Sequence, residues 1–101
     1  MTRLEFHETL VELLGSRNVY FQPSSSINMR YPCIIYQRGG IEAKHANNLI
    51  YKNATRYLVT VVDPDPDSEI PKRVQALPYT EFVTHYSKDN LNHDVYSTYI
   101  L

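Results

Sequence analysis

Residues 54–62, Ala-Thr-Arg-Tyr-Leu-Val-Thr-Val-Val, decide how this chain folds. β-Branched and aromatic residues dominate the run, which predicts a strand. At a two-residue period, Tyr57, Val59 and Val61 share one face, while Leu58 and Val62 share the other. A strand that is apolar on both faces belongs at the centre of a sheet, under a helix or another subunit. Asp63-Pro64-Asp65-Pro66-Asp67-Ser68 breaks it. A short helix is predicted over residues 68–77, where Ile70, Val74 and Leu77 recur at i, i+4 and i+7. Asp67 or Ser68 would cap it. Pro71 is tolerated in the first turn, where N–H groups have no helical partner, and Pro78 ends the element. Residues 79–86 and 93–100 read as a closing hairpin, with Tyr79, Phe82, Val83 and Tyr86 answering Val95, Tyr96, Tyr99 and Ile100. The link Ser87-Lys88-Asp89-Asn90 supplies turn residues.

Toward the N-terminus, residues 3–14 have helical periodicity. Phe6, Leu10, Leu13 and Leu14 fall together, with Leu4 and Val11 on the flank. Glu5, Glu8 and Glu12 occupy the other side, as a solvated face or a charged docking face. Thr2 can cap the start, and Gly15 stops the helix because glycine reaches the left-handed region cheaply. Residues 18–22 predict a short strand, ended by the loop Pro23-Ser24-Ser25-Ser26. Residues 33–36 predict another, with Pro32, which lacks an N–H, at its start or edge. Arg38-Gly39-Gly40 reads as a turn. The polar stretch from Ile41 to Asn53 reads as a long hairpin arm or a loop.

The order helix, strand, strand, arm, strand, helix, strand, strand predicts one α+β domain spanning residues 1–101: a small twisted antiparallel or mixed sheet of four to five strands flanked by two helices. The 101 residues carry 10 Lys and Arg against 11 Asp and Glu, a net charge of -1, which excludes a strongly basic nucleic-acid binder. No apolar run approaches the roughly 20 residues needed to cross a bilayer, so no membrane partner is expected. The opening MTRLEFHETLVELLG carries three glutamates through its apolar stretch and does not read as a secretory signal. The nine tyrosines and absent tryptophan suit either a tyrosine-rich sheet core or an interface.

Chemistry is thinly represented. Asp63, Asp65 and Asp67 alternate in a pattern that could chelate a hard cation, which opens the reading of a metal-dependent hydrolase working with a histidine. An EF-hand loop is excluded, because Ser68 stands where glycine is needed and Val74 where glutamate is needed. The plainer reading is a rigid turn whose carboxylates favour the following helix N-terminus. His7, His45, His85 and His93 show no helical ligand spacing, and two histidines across a hairpin do not make a zinc site. Cys33 lies in a predicted buried strand and reads as a small core side chain. No serine has a recognisable base beside it, and no glycine-rich phosphate loop is present. Arg30, Arg38, Lys44, Lys52 and Arg56 make the middle of the chain basic, whereas the first 14 residues are acidic. Such polarity suits either a solvated arm or head-to-tail contacts between copies.

Four segments carry a resemblance: LEFHETLVELLGSRNVYFQP at residues 4–23, INMRYPCIIYQ at 27–37, TRYLVTVVDPDPDSEIPKRVQALP at 55–78 and HYSKDNLNHDVYSTYI at 85–100. Together they resemble the tail completion or tail terminator proteins, minor structural proteins of the head–tail joint of long-tailed bacteriophages. The similarity rests on phrases (MRYP, DPDSEIP, DNLNHD), not on catalytic motifs. It implies a non-enzymatic virion protein, assembled in the bacterial host cytoplasm, with no cofactor. Proteins of this kind form hexameric rings that cap the tail tube, stop its growth and dock the head connector or stopper, while genomic DNA passes through the lumen without sequence-specific contact. A neighbouring head-closure or stopper subunit is the alternative within that class. The expected interface comprises Arg38, Ile41, Lys44, His45 and Lys52, with the arm reaching a neighbour, and Asp63, Asp65 and Asp67, facing another ring or the lumen.

Overall fold

The computed structural model describes residues 1–39 and 54–100. Two helices and five strands make an α+β fold, in the order α1 (Arg3–Leu14), β1 (Val19–Phe21), β2 (Cys33–Arg38), β3 (Thr55–Asp63), α2 (Ile70–Gln75), β4 (Thr80–Lys88) and β5 (Leu91–Ile100). The sheet runs β1-β2-β3-β5-β4. β1 lies parallel to β2, and every other neighbouring pair is antiparallel. The doubly apolar strand is therefore central, as its composition requires. Among the described residues, no helix is long and apolar enough to cross a membrane.

One face of the sheet packs under both helices. Tyr57, Val59 and Val61 of β3 meet Ile34 and Tyr36 of β2, Tyr96 of β5, Phe6, Leu10 and Leu14 of α1, and Ile70 and Val74 of α2 in one core cluster. Phe6 stacks on Tyr57 at 5.4 Å and meets Tyr36 edge-on at 5.6 Å. Each such side chain withdrawn from water contributes about 1.5–3 kcal/mol. The predicted apolar stripe of α1 is rotated slightly in the structure: Val11 is buried, Leu13 is half-buried and Leu4 is exposed. Thr2 and Glu5 form a reciprocal capping box, and Gly15 closes the helix at φ +84°.

The opposite face carries no helix. The connection from β1 to β2 crosses there, with the Arg30 backbone N–H donating to the Tyr20 hydroxyl at 3.2 Å. Val62 and Cys33, paired across β3 and β2, are buried on that side, while Ile35, Leu58 and Val95 are only half-buried.

Three local expectations need correction. Helix α2 begins at Ile70, after the N-cap Glu69, and makes no side-chain cap bond; neither Asp67 nor Ser68 is the cap, although Ser68 Oγ accepts the Ile70 N–H at 3.2 Å. The helix ends at Gln75, ahead of Pro78, because the Ala76 and Leu77 N–H groups already close on Lys72 and Val74. Arg38 is not a turn residue. It ends β2 opposite Tyr57, and the Gly39 N–H extends that ladder by donating to the Arg56 carbonyl at 2.8 Å. Gly40 lies outside the described residues.

Candidate assembly interface

The hairpin of β4 and β5 turns at Asp89-Asn90, both at positive φ (54° and 62°), the two-residue geometry that matches strand twist. β5 is inserted between β3 and β4, so β4 becomes the edge of the sheet. A β-bulge at Val83 shifts the register between Phe82↔Tyr96 and Thr84↔Val95. Consequently Phe82 lies on the helix-covered side of the sheet, whereas Tyr86, opposite His93, lies on the other. All residues of β4 after Thr80 are exposed. Phe82, Val83 and Tyr86 remain 51%, 48% and 47% accessible. Phe82 touches Tyr96 edge-on at 5.7 Å, and Tyr86 stacks on His93 at 4.6 Å, so both rings are held on the strand with one side open. The sequence placed residues 79–86 opposite 93–100 in a closing hairpin, and the structure pairs β4 with β5. No local signal separates this strand from β3: apolar residues occupy both parities in each, and only the sheet order makes one central and the other an edge.

A second apolar feature lies beside the root of the hairpin. A cavity of about 210 Å³, open to solvent, is lined by Met1, Phe6, Thr9, Leu77, Tyr79 and Ile100 among others.

The aspartate turn is self-contained. Asp63, the buried last residue of β3, accepts the Asp65 N–H at 2.8 Å through Oδ1, and Asp65 accepts the Asp67 N–H at 2.9 Å in the same way. Asn92 Nδ2 donates to the Asp63 carbonyl at 3.2 Å, fastening the turn to β5. Two of the three carboxylates thus hold backbone donors, which is how aspartate stabilises a turn. Asp65 and Asp67 are exposed. Among the described residues, no three His, Cys, Asp or Glu side chains cluster as a metal site.

Of the basic positions, Arg38 is exposed at the end of β2, its backbone N–H donating to Gln22 Oε1 at 3.2 Å. Ile41, Lys44, His45 and Lys52 lie outside the described residues. Arg56 is held on the open sheet face, where Nε donates to Ser97 Oγ and Nη1 to the Gly39 carbonyl, each at 2.8 Å. The acidic stripe of α1 is partly engaged in local structure: Glu5 serves the capping box and Glu8 pairs with Arg17 at 2.8 Å. Hydrogen bonds from the Thr2 backbone and hydroxyl hold the Glu5 carboxyl below its usual range.

Buried titratable groups sit beneath the helices and beside the turn. Burial, reinforced by the Asp63 carboxylate, pushes the Cys33 thiol up to about 12, so it is un-ionised at neutral pH and a poor nucleophile. Arg3 Nη1 donates to the Tyr36 hydroxyl at 3.2 Å and its guanidinium stacks 4.5 Å over the Phe21 ring. Burial raises the Tyr36 phenol despite that cation, and burial with Asp94 raises Tyr96.

A scan of protein-family models and searches of curated proteins and of solved structures found no match to this chain.

Proposed function

We propose that the chain is a structural assembly protein of a long-tailed bacteriophage virion. Copies form a ring, six-membered by the resemblance, at the head-proximal end of the tail tube. The ring terminates tail growth and joins the tube to the head connector, and genomic DNA passes through its lumen. The work is done by shape, with no bond made or broken. Besides the resemblance, one observation supports this most: β4 is a nine-residue edge strand carrying half-exposed Phe82, Val83 and Tyr86. Glu81, Lys88 and the bulge at Val83 blunt open-ended strand pairing at this edge, yet three large apolar side chains stay bare, and an exposed apolar patch is what marks a protein contact.

The test is an electron-microscopy map of intact particles. Six copies at the head-proximal end of the tube are expected, and particles lacking the chain overturn the proposal.

A further inference from the structure

No further inference is drawn: the strongest candidate, the apolar cavity between α1, the link from α2 to β4 and the end of β5, is lined by Met1, Phe6, Leu77, Tyr79 and Ile100 among others, and nothing in the structure shows what covers it.

Discussion

The Tyr36 hydroxyl lies 2.8 Å from Nδ1 of His7, tying a fully buried strand residue to the exposed half of α1. Arg3 Nη1 donates to the same oxygen at 3.2 Å, so one phenol joins two side chains of α1 to β2. The contact closes the end of the core where Phe6, Phe21 and Tyr57 cluster around the Tyr36 ring.

Tyr36→Phe keeps these ring contacts and deletes only the hydroxyl. The expected loss is about 1 kcal/mol, the net worth of a part-buried hydrogen bond. Urea unfolding should show a lower midpoint with an unchanged slope. In a double-mutant cycle with His7→Ala, the two losses should fall short of adding, since both remove the same bond. Strict additivity would show that the bond contributes nothing.

Stability should fall on the alkaline side. Cys33, Tyr36 and Tyr96 all have folded-state values raised by burial. At pH 7 these groups are protonated in both the folded and unfolded chain, so their full contribution is present. As pH climbs past the ordinary values, 9.0 for the thiol and 10.0 for the phenols, the unfolded chain ionises first and the fold loses ground. For Cys33 the loss runs from about pH 9 to about 12 and is on the order of a few kcal/mol. Cys33→Ala should flatten the first part of that decline in unfolding curves taken at stepped pH. A chromogenic disulfide reagent at neutral pH should leave native Cys33 unreacted and titrate it fully in urea. Prompt labelling of the native chain would contradict its burial.

The aspartate turn should behave as structure and not as a metal site. Asp63→Ala removes the acceptor of the Asp65 N–H and should cost about 1 kcal/mol. Asp63→Asn keeps an oxygen acceptor and should cost less. Titration with Mg²⁺ or Mn²⁺ should leave the melting temperature of wild type unchanged. A rise with metal concentration would mean preferential binding to the folded state and would restore the hydrolase reading of Asp63, Asp65 and Asp67.

By itself the sequence determined whatever depends on neighbours along the chain. The recurrence of Phe6, Leu10 and Leu14 locates α1, the Thr2 and Gly15 signals bound it, and the alternation of Tyr57, Val59 and Val61 makes β3 a strand with one face in the core. Cys33 was legible as a core side chain for the same reason. Only the tertiary structure decided what depends on contacts distant in sequence. β1 joins β2 in parallel, β5 intervenes between β3 and β4, and Tyr36 meets His7 across 29 positions of chain. Whether an apolar strand is buried or bare depends on its place in the sheet order, and nothing local to residues 79–86 carries that information. This is why the hairpin of residues 79–86 and 93–100 was legible in the sequence, while the bare outer edge that Phe82 and Tyr86 occupy was not.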